Sequence, residues 1–257
     1  DAQESRGLGD VYKRQDMACS IGQHTWNAAV WSAHAATHAA ALVLEGERAT
    51  YALCRPPGHH AYADRANGFT YLNNAAIAAQ YLRRQHPRVA ILDVDVHHGN
   101  GTQGIFWRRS DVLTLSLHGD PHFCTPFFTG HAHERGEGEG LGYNLNYPLA
   151  RGTGTDDYLH ALARACQAIR DFQPGALVVA LGLDAHERDP YKALAVSTEG
   201  FARITGEIAR LGLPTVFVQE GGYLSPDLPL NLASALRGFE AVALSLIHIS
   251  EPTRLLS

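Results

Sequence analysis

The residues able to do chemistry fall into short clusters: Arg55-Pro-Pro-Gly-His59-His60, Asp93-Val-Asp95-Val-His97-His98-Gly-Asn100, His118-Gly-Asp120, Gly182-Leu-Asp184-Ala-His186 and Glu220-Gly-Gly-Tyr223. Asp95 and His97 are two apart, so in an extended segment their side chains point the same way. With Asp184 from another strand they make three ligands and leave one position open, the pattern of a catalytic zinc site. Water in that position has its pKa lowered to about 7. His59 and His60 follow a Pro-Pro-Gly turn that exposes both rings, and paired imidazoles near a metal suit proton transfer. Asp93 faces the same side as Asp95 and is placed to orient an imidazole. Tyr223 follows two glycines, a turn that can aim its phenol at a developing oxyanion. Singly, each cluster has a plain reading: a solvated strand end, a pair of surface histidines, a core tyrosine. Their coincidence is what favours a site.

The elements around the clusters supply that coincidence. Apolar spacing predicts helices over Thr25–Leu44, Asn74–Arg84, Thr102–Arg108, Asp156–Phe172, Ser197–Leu211 and Leu228–Ala243. Strands are expected at Tyr51–Cys54, Arg88–Val94, Val112–Leu117, Ala176–Leu181 and Thr215–Gln219. Residues 119–146 carry Gly, Pro and His without periodicity and read as a long functional loop. Strands that are unbroken apolar runs, alternating with helices, predict an α/β fold: a single domain with a mostly parallel open sheet flanked by helices on both faces. Each cluster follows a predicted strand, at the carboxyl edge where such sheets bind ligands.

Composition narrows the class. The chain has 257 residues, 45% hydrophobic and 18% charged, enough for a core. A net charge of −5 argues against a general nucleic-acid partner, since no basic surplus is available for phosphates. No apolar run approaches the ~18 residues of a membrane span. Cys19, Cys54, Cys124 and Cys166 are widely spaced and read as reduced thiols of a cytoplasmic protein. Residues 10–15 and 244–254 resemble in-frame translations of sequencing-library adapters. Residues 1–15 and 244–257 are therefore read as assembly scars, and 16–243 as a domain truncated at its N-terminal side.

The clusters together with Asn67-Gly-Phe-Thr-Tyr-Leu-Asn-Asn74 resemble, in order, the motifs of the zinc-dependent histone deacetylase superfamily, of arginase/deacetylase fold. The loop carrying His118-Gly-Asp-Pro121 and Gly130-His-Ala-His-Glu134 is similar to that of the bacterial class II-like branch, acetylpolyamine amidohydrolases in particular. The resemblance implies one catalytic zinc on Asp95, His97 and Asp184. It implies His60 as general base with Asn100 as its partner, His59 held by Asp93 as electrostatic or acid help, and Tyr223 as oxyanion stabiliser. It implies a substrate tunnel lined by Gly68, Phe69 and one of Phe127 or Phe128, with Phe128 preferred. A structural potassium ion would sit on Asp93, Asp95, His97, Ser116 and Leu117, and Asp16 would be a rim carboxylate. The implied reaction is hydrolysis of an acetylated alkylamine, either a small acetylpolyamine or an acetyl-lysine peptide, by a protein that can form a homodimer at full length.

Two rivals are weighed against this. A binuclear manganese ureohydrolase needs further carboxylates two residues after His97 and Asp184, where Gly99 and His186 stand. A non-catalytic binding protein or inactive fragment is the rival of another class. On substrate, Glu134, Glu137 and Glu139 read either as an acidic rim favouring a cationic polyamine or as a solvated charge cluster.

Overall fold

The computed structural model describes residues 18–250, with side chains through residue 245. Asp16 and the segments 1–15 and 251–257 lie outside the described residues. The centre of the fold is β2 (Val89–Asp93), Val-Ala-Ile-Leu-Asp, buried at every position. Continuous burial is what a central parallel strand requires, because both of its faces are covered. Alternate side chains feed opposite layers. Ile91, Val178 and Val216 pack with Ala36 and Ala40 of α1 (Thr25–Leu44) and with Ala79 and Leu82 of α2 (Asn74–Leu82). Leu92, Val179 and Phe217 pack on the other side with α4 (Thr155–Phe172), α5 (Thr198–Ala209) and α6 (Leu228–Ser250).

The sheet has six strands in the order β1-β6-β5-β2-β3-β4, comprising β1 (Ala49–Ala52), β3 (Val112–Gly119), β4 (Asn144–Leu149), β5 (Ala176–Leu181) and β6 (Thr215–Gln219) beside β2. Every strand pairing is parallel, so the expected mostly parallel sheet is wholly parallel among the described strands. The chain steps outward from β2 through β3 to β4, then returns to β5 and steps the other way to β6. Strand order therefore reverses between the neighbours β2 and β5. In open α/β sheets that reversal opens a crevice at the carboxyl ends, where ligands bind.

Several boundaries differ from the sequence reading. β1 starts two residues earlier than Tyr51 and stops before Leu53, which is exposed. α3 runs Asn100–Phe106, so Asn100 opens the helix instead of preceding it. α6 continues past Ala243 to Ser250. The largest correction is β4, an edge strand that opens in the last three residues of what reads as loop and runs on to Leu149. Its Asn144, Asn146 and Pro148 hide it: asparagines are depleted in strands and proline is tolerated only at edges. The asparagines are there for their amides, which donate to Gln103 Oε1 at 2.9 Å each.

The long loop is tied back to the sheet by His118 at the end of β3. Its Nε2–H donates to the Gly130 carbonyl at 2.8 Å, leaving Nδ1 to accept from the Ser116 hydroxyl at 2.8 Å. The bond from Ser116 needs the neutral ring, and burial lowers its pKa to about 4. In the unfolded chain the same group titrates near 6.5. Its contribution to stability is then complete above about pH 6.5 and is lost as pH falls toward 4. Urea denaturation across that window should show stability falling with pH, and a shallower fall in His118→Gln. An unchanged slope in the variant would clear His118 of the effect.

Candidate active site

The crevice holds a cavity of about 430 Å³. Its floor is Asp95, His97 and Asp184, all buried, with one ligand atom from each within 4.8 Å of the others. Register brings them together. Asp93 pairs with Ala180 across β2 and β5, so the segments leaving the two strands run side by side. His97 Nδ1 is 3.1 Å from Asp95 Oδ1 and 3.1 Å from Asp184 Oδ2. Each carboxylate also takes backbone donors: His97 N–H at 2.9 Å and Gly221 N–H at 2.7 Å on Asp95, and Val96 N–H at 2.9 Å on Asp184.

Glycine is required around these groups. A Cβ at Gly182 would lie 2.3 Å from Asp95 Oδ2, and one at Gly221 would lie 2.3 Å from Asp184 Oδ2. The electrostatics show what the cluster lacks. Burial and the charge of Asp95 raise the Asp184 carboxyl to about 6. Burial opposes ionisation of Asp95 as well, yet His59 and His97 hold its pKa well below the ordinary range. One imidazole nitrogen between two buried carboxylates cannot satisfy both. Two oxygen donors and one nitrogen donor turned toward each other suit a divalent cation of the zinc type. The residues present fit that group.

The two histidines stand beside the floor with ring centroids 4.0 Å apart, in unlike company. His59 Nδ1 meets the Asp93 carboxylate at 2.9 Å. Burial works against its charge, but Asp93 and Asp95 outweigh that and raise its pKa to about 10. His60 Nδ1 meets Asn100 Oδ1 at 2.6 Å. The Asn100 amide nitrogen donates to the Tyr62 hydroxyl at 3.1 Å, so its oxygen faces the ring and accepts Nδ1–H. His60 Nε2 is then a free acceptor. Burial and the neighbours His59 and His97 push its pKa well below 6.5. The turn carrying both rings is fixed by Glu220, whose carboxylate accepts the Gly58 and His59 N–H groups at 2.7 and 3.0 Å.

Tyr223 lines the cavity with its ring 6.5 Å from that of His97. Burial, then Asp184, raises its pKa above 10, so the phenol keeps its proton. Gly68, Phe69, Phe127 and Phe128 line the walls. Gly68 and Phe69 share left-handed backbone (φ 52° and 65°), and a Cβ at Gly68 would be 2.3 Å from the His60 ring. Ser116 is the register partner of Asp93, and Leu117 is buried beside it.

The acidic loop does not form a rim to this cavity. Glu134 turns inward, accepting Gln103 Nε2 at 2.7 Å, Gly130 N–H at 2.9 Å and the Thr129 hydroxyl at 3.0 Å. Glu137 pairs with Arg108 at 2.9 Å. Tyr191 and Asp189 are residues the sequence reading missed. Tyr191 lines the cavity, and Asp189 holds the Tyr191 N–H at 2.9 Å. The available signal was an Asp-Pro-Tyr turn following the same strand edge as Asp184.

The histone deacetylase domain model matches residues 1–239. The chain is 52% identical over 227 residues to the acetylpolyamine amidohydrolase of Burkholderia pseudomallei, covering 88% of this chain and 67% of that protein. It is 48% identical over 238 residues to acetylpolyamine amidohydrolase 1 of Pseudomonas aeruginosa, covering 92% of this chain and 69% of the relative. The crystal structure of the Burkholderia pseudomallei acetylpolyamine aminohydrolase superposes with a TM-score of 0.87 at 52% identity, covering 88% of this chain and 66% of the other. The chain thus spans about two thirds of the length of these relatives. On its matched length, motif order and fold, this chain belongs to the histone deacetylase domain family.

Proposed function

We propose that the chain is the catalytic part of a zinc-dependent amidohydrolase that removes acetyl groups from acetylated alkylamines, acetylpolyamines foremost. The observation that carries this is the convergence of Asp95, His97 and Asp184 beneath a cavity that also holds the His60–Asn100 pair and Tyr223. The substrate class is supported by relatives named acetylpolyamine amidohydrolase at 46 to 52% identity. His186 does not favour a binuclear alternative, because its ring nitrogens are engaged by the Arg188 N–H and the Thr198 hydroxyl at 3.3 Å each.

Asp95, His97 and Asp184 would hold zinc, which when bound supplies a Lewis acid at the amide carbonyl and a lowered water pKa. His60, kept neutral with Nε2 free, takes the proton of the attacking water. Tyr223 donates its phenolic hydrogen bond to the oxygen that becomes anionic as the carbonyl carbon turns tetrahedral. His59, kept charged by Asp93, adds positive potential beside His60. The proton held on the histidine pair passes to the nitrogen as the C–N bond breaks, leaving acetate and a free amine. Phe69, Phe127 and Phe128 exclude water along the alkyl chain. Asp93, Asp95, His97, Ser116 and Leu117 are read as the seat of a structural potassium ion, supported by the Asp93–Ser116 register and their burial. The buried thiols of Cys54, Cys124 and Cys166 support a reducing, cytoplasmic setting. No helix among the described residues is long and apolar enough to cross a membrane.

The zinc-loaded protein should hydrolyse N-acetylputrescine in preference to an acetyl-lysine peptide and lose the activity on chelation. Preference for the peptide would move the substrate to proteins, and turnover of neither by folded, zinc-loaded protein would sink both readings. Within the same assay, Tyr223→Phe should lower kcat by about 10²- to 10³-fold, the usual cost of one oxyanion donor, with KM little changed. A kcat within a few-fold of the parent would remove Tyr223 from the mechanism.

A further inference from the structure

Three histidines of the long loop take no part in the chemistry above, and the fold gathers them together. The rings of His122 and His131 have centroids 6.0 Å apart. Those of His131 and His133 are 5.5 Å apart, with planes at 12°. His122 and His133 are exposed, His131 is half-buried, and none of the three lines the cavity of the active site. Imidazole is a ligand for zinc, nickel and copper. With Zn–N bonds of about 2.0–2.1 Å, two imidazoles on one tetrahedral ion have ring centroids about 5 Å apart. The loop holds the three rings near that separation, and side-chain rotation covers the remaining distance.

One ring already has the carboxylate partner that a metal-ligating histidine needs. Asp120 accepts the His122 backbone N–H at 2.9 Å and meets the His122 ring Nδ1 at 2.5 Å. Those two bonds, with the His131 ring adding to them, hold the Asp120 carboxyl below its ordinary range. An ionised carboxylate only accepts, so the ring proton of His122 sits on Nδ1 and Nε2 keeps its lone pair. Carboxylates bonded in this way orient histidine ligands and raise their basicity. The backbone beneath is fixed on both sides. The Asp120 N–H donates to the Leu149 carbonyl at 2.8 Å. The His131 carbonyl accepts the Glu134 N–H at 3.0 Å and the Asn146 amide at 3.2 Å. His122 precedes and His131 follows the segment that carries Phe127 and Phe128 into the mouth.

We propose that His122, His131 and His133 form a second metal site, apart from the catalytic floor, that takes a borderline divalent cation of the zinc type, with Asp120 orienting His122. Three imidazoles leave the fourth position to water. The bound ion joins the two ends of the aromatic segment and clips that wall of the mouth in place. The site does not rest on the amidohydrolase reading.

The test counts zinc on the untagged parent chain and on a triple variant, His122→Ala with His131→Ala and His133→Ala, after dialysis against micromolar free zinc. The parent should hold one zinc more per chain than the variant. That difference stands whether or not the catalytic floor fills, so an empty floor would sink the metal reading of the active site and leave this count decisive. Asp120→Ala keeps all three imidazoles and should weaken the additional zinc about 10- to 100-fold, the usual cost of losing a ligand's carboxylate partner. Should the triple variant fail to fold, His133→Ala alone, at an exposed position, should weaken the additional zinc at least as much. Zinc should also slow amide hydrogen exchange across residues 121–131 in the parent and not in the triple variant. Equal zinc counts in parent and triple variant, or an unchanged affinity in His133→Ala, overturn the proposal. An additional zinc with unchanged exchange would overturn its role as a clip, and an unchanged affinity in Asp120→Ala would overturn the role of that carboxylate.

Discussion

Asp95 and Asp184 are two carboxylates forced into one dry space, each fully buried, with the His97 nitrogen between them. Removing ions from water costs several kcal/mol each even after relaxation, so such a pair persists only where surrounding structure compensates it. The compensation is visible in the backbone. N–H groups of Val96, His97 and Gly221 point at the oxygens, and Gly182 and Gly221 leave room that any side chain would fill. Those donors come from segments following β2 and β6, and Asp184 itself follows β5. Holding three segments to hydrogen-bond tolerance takes a stiff sheet, which accounts for the unbroken burial of β2 and β5 beneath the site. The register of β2 on β5 is thus as much part of the site as the ligands themselves.

The neighbouring histidines extend the same logic to proton chemistry. His59 and His60 are adjacent in sequence with their rings in contact, yet one atom in each partner sets them apart. Asp93 offers an anion and keeps His59 charged, whereas Asn100 offers a neutral amide oxygen and leaves His60 a neutral base. Charge on His59 in turn disfavours charge on His60, so the two environments reinforce each other. An acid and a base are separated on one dipeptide without any distance between them. Glu220 makes this possible by fixing the turn through backbone N–H groups, leaving both rings free.

Much of this was legible in the sequence. Val89–Asp93 and Ala176–Leu181 declare themselves because a strand buried on both faces must be apolar throughout. The metal-type cluster was legible because its members follow strands directly, where backbone geometry fixes their direction. β4 was not, because its composition answers to the loop it braces: Asn144 and Asn146 are selected for their amides, and edge pairing tolerates Pro148. Tyr191 escaped because its placement depends on a backbone bond to Asp189 and on ring contact with the distant Tyr223, neither of which has a periodic signature. Glu134 carries the opposite lesson. A glutamate in a Gly-rich loop looks solvated, yet this one is the bracket that closes the loop.

That bracket changes how the loop acts on the site. Glu134 grips Thr129 and Gly130, the residues directly after Phe127 and Phe128, while His118 grips the Gly130 carbonyl from the sheet. The aromatic wall of the mouth is thereby fixed by a half-buried carboxylate and a neutral imidazole. Opposite it, Asp189 fixes Tyr191 in the same manner. Acidic side chains therefore shape the entrance without presenting charge to it, spending their valence on backbone N–H groups. Among the described residues, a cationic amine approaching this mouth meets aromatic faces, to which ammonium groups are weakly attracted, and finds the lining carboxylates Asp95 and Asp184 at the floor.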